Sequence, residues 1–443
     1  MNKIKYILLL FFINIFDAKA EIKILEWKEV AKLTKYGRES LFSIKIQAQN
    51  LPKNTGISSF SIASSQKKIE YSSLKVNLID AKFKNQNGVF EVLFNRPLLD
   101  NQTANIEFIA KDYYLKISKY LRQEPFYVPA FVQGAIGEIE IQISDDLELI
   151  SNHKNISSRN NSISFKGRIP KEGIKEILKL TNSGVVWNVE VRSKINISST
   201  NGTMEITAPY LFRGGAQSVR NQTIGANIFP KQHLTTREND ILTFDINPKI
   251  NEIIIENKAE VATGKKFRID NDRSPEKYLE ITESEKNLLT PILKKIFLNP
   301  KYDTLPLHVK ILNYVHDNIT YDLDYYGKLL TVEQILETKS GVCSEYATLF
   351  NALARLANIP SSIVHGYALG EYDKFESHAW NMIFVNNRWV HVDPTWNLSS
   401  GIVSSSHIYL KDNRKEELLV KFQGQETDIQ IDREFAIEDS KKY

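Results

Sequence analysis

The sequence predicts a multidomain protein, with an all-β N-terminal half of two β-sandwich domains followed by an α+β domain. Three observations predict it. Period-2 alternation at Leu74/Val76/Leu78, Ile139/Ile141/Ile143 and Trp187/Val189/Val191 marks strands up to about residue 268. Helical spacing takes over after the polar stretch Asp270-Asn271-Asp272-Arg273-Ser274-Pro275. Strands then return within the same block, and helices followed by strands read as α+β. The 443 residues are 42% hydrophobic and 25% charged, which excludes disordered, collagenous and multi-span membrane classes. A net charge of +4 from dispersed residues gives no electrostatic footprint for a nucleic-acid partner.

The first twenty residues read as a cleaved export leader. Lys3 and Lys5 precede the apolar run Tyr6 to Phe16, and Ala18-Lys19-Ala20 supplies a small-residue cleavage site. A spanning helix needs about 20 apolar residues, so this run is too short for a membrane anchor. The mature chain is expected to start at Glu21, to carry no stable membrane anchor, and to be periplasmic or secreted in a bacterium.

Polar clusters such as Asn85-Gln86-Asn87-Gly88 and Ser198-Ser199-Thr200-Asn201-Gly202 separate the strands. Within this half only Ile174 to Leu180 has the spacing of a short helix. The length is more than one sandwich needs. The expected β-domains are residues 21–135 and 136–268, with the α+β domain over 269–430 and a charged tail over 431–443.

In the α+β block, Thr282 to Phe297 reads as a helix kinked or split at Pro291. Leu307 to Ile319 follows as a second helix, with Leu312, Val315 and Ile319 on one face. Thr331-Val332-Glu333-Gln334 is a capping box opening a short helix to Thr338. A longer helix runs from Cys343 to Ala357 and stops at Asn358-Ile359-Pro360. Strands Ser362 to Tyr367, His378 to Val385 and Arg388 to Asp393 complete the block.

Cys343 is the sole cysteine, which excludes an intramolecular disulfide, a Cys-rich zinc site and an iron–sulfur cluster. It sits at a helix start, where unsatisfied N–H groups and the positive dipole end favour a thiolate and offer oxyanion donors. Such a nucleophile needs a base, usually histidine, held by a third group. Asn386-Asn387 is a two-residue hairpin turn. With that turn, Trp380 faces Asp393 and His378 faces Thr395, so His378 and Asp393 are diagonal neighbours on one face. His391, on the same hairpin face as Asp393, is the rival base. His365 reads as a core histidine and His316 as a helix-surface one.

At these residues the sequence resembles the transglutaminase-like superfamily, whose catalytic domains share a papain-like core. The carrying motifs are Gly341-Val342-Cys343-Ser344-Glu345-Tyr346-Ala347, Ala354-Arg355-Leu356-Ala357-Asn358-Ile359-Pro360, His378-Ala379-Trp380 and Trp389-Val390-His391-Val392-Asp393-Pro394-Thr395-Trp396. Upstream, Tyr314-Val315-His316-Asp317-Asn318-Ile319-Thr320-Tyr321 looks like the helix end preceding the active site in that family. The resemblance covers Tyr278 to Gln430. It implies Cys343 as nucleophile, His378 as general base and acid, and Asp393 as the residue orienting the imidazole. It also implies attack on a protein or peptide amide to give a thioester, resolved by an amine or by water. No acidic loop like that of the calcium-dependent animal enzymes is present, so no metal or other cofactor is expected.

Two readings follow. One is an exported cysteine enzyme, protease, amidase or acyltransferase, with an amide substrate in protein, peptide or cell envelope. The other is a surface interaction protein whose β-domains bind a partner, with little or no catalysis. The sequence leaves hydrolysis against transamidation, and the oligomeric state, open.

Overall fold

The computed structural model describes residues 10–12, 21–63, 70–86, 89–113, 115–116, 120–128, 132–153, 155–159, 161–198, 200–211, 217–236, 239–264, 274–370, 374–401, 403–412, 418–425 and 427–439. The expected leader lies outside these residues except for Leu10–Phe12, a short strand pairing with Ser61–Ala63. Among the described residues no helix is long and apolar enough to cross a membrane. The chain divides into two compact units, Met1–Thr181 and Asn182–Tyr443.

The first unit is all β. Its largest sheet has eight strands and is centred on Glu21–Leu33, which pairs antiparallel with Gly37–Gln49 and parallel with Ile136–Ile143. Along Ile136–Ile143 exposed and buried residues alternate strictly, as the period-2 pattern requires. One continuous core joins Trp27, Phe60, Phe90, Phe126, Ile141 and Leu178. This corrects the expected cut at 135/136. Residues 136–181 bury their apolar face in the same core as residues 21–135, so they cannot form a separate domain. Ile174–Asn182 is likewise a strand, not a helix, because it pairs residue for residue with Leu121–Val128. A buried charge network crosses the unit: Arg38 bonds Glu29 and lies 3.1 Å from Glu124, while Ser40 Oγ donates to Glu29 at 2.6 Å. Paired and hydrogen-bonded, these charges avoid the penalty of isolated burial.

In the second unit, two four-stranded sheets enclose a core of Ile195, Met204, Leu242, Phe244, Ile253 and Ile255. The first sheet includes Val185–Ile197 and Glu252–Thr263, paired in antiparallel register. The second includes Gly202–Pro209 and Asn239–Ile246. Each sheet takes one strand from the C-terminal end: Ile429–Asp439 pairs with Val185–Ile197, and Leu419–Gly424 with Gly202–Pro209. The expected charged tail over 431–443 is therefore a strand as far as Asp439. Ile429, Phe435 and Ile437 are half-buried at alternating positions, while Asp432, Glu434 and Glu438 on the other face are exposed.

Between these strands lies the α+β block. Helix α1 is Glu283–Leu298, opened by a Thr282/Glu285 capping box, and it carries Pro291 within one continuous helix rather than splitting. Helix α2 is Leu307–Asn318, α3 is Val332–Thr338 with the Thr331/Gln334 capping box, and α4 is Cys343–Leu356. Leu289, Leu312, Val315, Phe350 and Leu353 from three of these helices share a core with Ile383 and Val392 of the adjoining sheet. That sheet has the order Arg388–Val392, Phe375–Val385, Ser361–Leu369, Ile408–Asp412.

Candidate active site

The hairpin forms as the turn residues require. Asn386 and Asn387 have φ of 53° and 59°, the left-handed pair of a tight hairpin, and Val385 faces Arg388. The ladder runs to Asn381 opposite Val392, after which the chain leaves the sheet and Asp393 bridges Leu398 instead. This exit turns the Asp393 carboxylate toward the face of His378, and His378 Nε2 lies 2.9 Å from Asp393 Oδ2. With Nε2 engaged there, the other ring nitrogen is left for the thiol of Cys343, which interacts with the His378 side chain and the Ala379 backbone N–H.

Cys343 is the first residue of α4. Ser340 and Gly341 form a short parallel bridge with Thr320 and Tyr321, which fixes the approach to the helix. The buried Glu345 side chain accepts from the Val342 N–H at 2.9 Å, holding the turn just before the thiol. A Cβ on Gly341 would meet the Glu345 side chain at 2.4 Å, so this turn requires glycine. Tyr346 Oη donates to the Ile319 carbonyl at 2.6 Å, and Asn381 Nδ2 to the Ala347 carbonyl at 3.0 Å. The helix carrying Cys343 is thereby fastened on one side to the end of α2 and on the other to the strand of His378.

Electrostatics sharpen the arrangement. Burial opposes ionisation of the Cys343 thiol, but the hydrogen bond and charge of His378, with the Ala379 N–H, hold it below its ordinary value. Burial also disfavours a charged His378, yet Asp393 and then Cys343 outweigh it and raise the imidazole to about 10. For Asp393, burial pushes upward, while His378 and His407 hold the carboxyl well below the usual range. The three groups therefore support a thiolate beside an imidazolium backed by a carboxylate. A thiolate so placed is a nucleophile, and an imidazolium beside it is a proton donor. The N-terminal turn of α4, which begins at Cys343, carries the positive dipole end of the helix.

The ring of His378 is stacked between two indoles, 4.8 Å from Trp396 and 5.8 Å from Trp380 between centroids, both at 22°. The rival base, His391, is fully buried and its Nδ1 accepts the Trp380 Nε1–H at 2.8 Å, which makes it a core residue. His316 is not a plain surface residue: its Nδ1 lies 3.2 Å from the carbonyls of both Pro394 and Thr395, supporting the loop after Asp393. His365 stands half-buried in Ser361–Leu369.

Sequence reasoning missed His407, whose Nε2 is 3.1 Å from Asp393 Oδ2. The one available signal was a histidine directly before the strand Ile408–Asp412. The donor atoms of His378, Asp393 and His407 lie within 4.8 Å of one another, a spacing that a metal ion also uses. Here both imidazole nitrogens lie at hydrogen-bond distance from a single carboxylate oxygen, Asp393 Oδ2.

Residues 294–394 match the model of the transglutaminase-like superfamily. A stretch of 78 residues is 38% identical to human kyphoscoliosis peptidase, over 16% of this chain and 12% of that protein. A stretch of 75 residues is 32% identical to a Pseudomonas aeruginosa protein-glutamine gamma-glutamyltransferase, over 15% of this chain and 11% of that protein. The chain thus spans only a small part of the length of these relatives. Among solved structures, a candidate cysteine protease from Cytophaga hutchinsonii aligns with 59% of this chain and 93% of its own, at 15% identity and a TM-score of 0.40. Cys343, His378 and Asp393 all fall within the matched span, and the chain carries a transglutaminase-like superfamily domain.

Proposed function

We propose that this protein is a cysteine enzyme that acts on amide bonds of a protein or peptide through a thioester acyl-enzyme. The single observation that carries the reading is the His378–Asp393 hydrogen bond of 2.9 Å beside the half-buried Cys343 thiol, which is held below its ordinary pKa. Cys343 thiolate attacks the amide carbonyl carbon, and the carbonyl oxygen becomes an oxyanion near the α4 N-terminal N–H groups. As the tetrahedral adduct collapses, the C–N bond breaks and His378 gives its proton to the departing amine, leaving the thioester. Neutral His378 then takes a proton from water or from a second amine as it attacks, and the thiolate leaves. Asp393 keeps the ring oriented and stabilises the imidazolium, as the third member of such triads does.

The test is to incubate the full chain with a glutamine-containing peptide, with and without a primary amine, and to weigh the products. A mass gain equal to amine minus ammonia identifies transfer, and cleavage or deamidation identifies hydrolysis. Cys343→Ser is expected to abolish the reaction and labelling by a thiol-directed acylating probe while leaving the circular dichroism unchanged. Equal labelling of the variant overturns the reading.

The enzyme is proposed to work outside the cytoplasm, on the N-terminal pattern of Lys3, Lys5, an apolar run and Ala18-Lys19-Ala20. Terminal sequencing of the protein recovered from a bacterial envelope or medium is expected to begin at Glu21. Retention of Met1 would refute export by cleavage.

A further inference from the structure

The Asp393 carboxylate has more partners than orienting one imidazole requires. Its Oδ1 accepts the backbone N–H groups of Thr395 at 2.8 Å and Trp396 at 3.2 Å. Its Oδ2 lies 2.9 Å from His378 Nε2 and 3.1 Å from His407 Nε2. The His407 ring is set edge-on against both indoles, 4.8 Å from Trp396 at 82° and 5.0 Å from Trp380 at 89°. The indoles that fix the plane of His378 therefore also fix the second imidazole.

The segment before and after His407 is held from outside the α+β block. The Ser405 carbonyl accepts Trp187 Nε1–H at 2.8 Å and also the Thr263 hydroxyl. Gln217 pairs with both backbone groups of Tyr409, at 2.6 Å to its carbonyl and 2.8 Å from its N–H. Trp187, Gln217 and Thr263 all stand on strands of the preceding β-sheets. His407 itself lies beyond the span 294–394 that the family model matches.

We propose that His407 is a positioning residue of this site, which shares the Asp393 Oδ2 with His378, fixes that oxygen, and tempers the basicity of His378. The inference rests on the reading of Cys343 and His378 as the reacting pair. A carboxylate oxygen that accepts two N–H bonds spreads its charge over both, so each donor is held less tightly than a sole donor would be. A base that must release its proton to a leaving amine works best when it does not hold that proton too strongly. The ionisable groups facing this cluster are Cys343, His378, Asp393 and Tyr321, with His391 behind Trp380 and Glu345 and Glu376 farther out. Burial, with nearby negative charge, pushes Tyr321 up to about 12, so it stays neutral over the range that matters.

Because Cys343 is the sole cysteine, the experiment needs no substrate. The rate of Cys343 alkylation by iodoacetamide is followed by mass spectrometry on the full chain between pH 4 and pH 11. The wild type is expected to show two inflexions, thiolate formation and, higher, loss of the His378 proton. His407→Phe and His407→Asn remove the donor at the Nε2 position, whereas His407→Gln keeps an N–H within the same reach. The upper inflexion is expected to rise by about half a pH unit or more in the Phe and Asn variants and to return to the wild-type position in the Gln variant. An upper inflexion unmoved in both loss variants overturns the proposal, as does a Gln variant shifted as far as the Phe variant. A wild-type profile with a single inflexion near pH 9 instead overturns the thiolate–imidazolium pair itself, and with it the role of His407.

Discussion

Asn381 Nδ2 donates to the Ala347 carbonyl across 3.0 Å, joining the strand of His378 to the helix of Cys343 one turn beyond the thiol. Both residues are buried, so the bond forms without competition from water. Asn381→Ala is expected to cost about 1–3 kcal/mol of stability. It should also slow alkylation of Cys343 at neutral pH, since thiol and imidazole lose their common anchor. Urea denaturation and iodoacetamide kinetics check the two effects, and a variant unchanged in both contradicts the anchoring role.

The charged pair predicts a plateau in stability against pH. The folded pKa of His378, about 10, exceeds its ordinary 6.5 because Asp393 and Cys343 outweigh burial. Its contribution is therefore complete below pH 6.5 and fades as pH rises toward 10. Cys343 moves the other way, below its ordinary 9.0, so its contribution is complete above pH 9 and fades as pH falls through the folded value. Where the two windows overlap, above both 6.5 and the folded value of Cys343 and below 9, the two slopes cancel, because folded and unfolded chains hold equal numbers of protons at this pair. Above pH 9 only the histidine slope remains, and stability falls. Denaturant midpoints measured across this range, in the wild type and in Cys343→Ser, should show the plateau only in the former.

Trp187 and Thr263 donate to one carbonyl, that of Ser405. Trp187→Phe removes one of the two donors and is expected to cost about 1 kcal/mol. Thr263→Val should cost a similar amount. Donors that share an acceptor do not act independently, so the double variant should depart from the sum of the singles. Thermal melts of the four proteins form the cycle, and strict additivity would contradict a shared grip.

Gly366 faces His378 across one strand pair and Tyr409 across another. A Cβ there would stand 2.0 Å from the Ile408 carbonyl oxygen and 2.9 Å from the Trp380 ring. Neither neighbour can move without shifting the sheet, so Gly366→Ala is expected to cost on the order of 3 kcal/mol. Gly225→Ala is the control, because a Cβ at that position meets nothing within 4 Å. Urea midpoints decide between them, and equal midpoints would sink the packing argument.

The parts of the site that were legible in the sequence are those set by short-range geometry. A two-residue Asn-Asn turn fixes the hairpin register and so the shared face of His378 and Asp393, although Asp393 leaves the ladder after Val392 and bridges Leu398. The helix start at Cys343 followed from the apolar spacing of α4 and the glycine before it. His407 was not legible, since its approach to Asp393 depends on the pairing of Ile408–Asp412 with Ser361–Leu369 across an irregular segment. Ile174–Asn182 misled because Ile174, Ile177 and Leu178 fit a helical stripe, whereas pairing with Leu121–Val128 selects the alternate face carrying Leu178 and Leu180. The C-terminal strand is masked by its charges, of which Asp432, Glu434 and Glu438 occupy the exposed side of an alternation.

The pairing of Ile429–Asp439 with Val185–Ile197 has a consequence for the order in which the molecule can be made. The Cys343 block is an insertion between the early and late strands of one sandwich. During synthesis Val185–Ile197 leaves the ribosome long before Ile429–Asp439, and on that side its edge waits unpaired. The helices around Cys343 can pack from local contacts in that interval, but the sandwich closes last. Removing the final strand is then expected to open the sheet that carries Trp187, and to loosen its hold on Ser405, from a cut far along the sequence from Cys343.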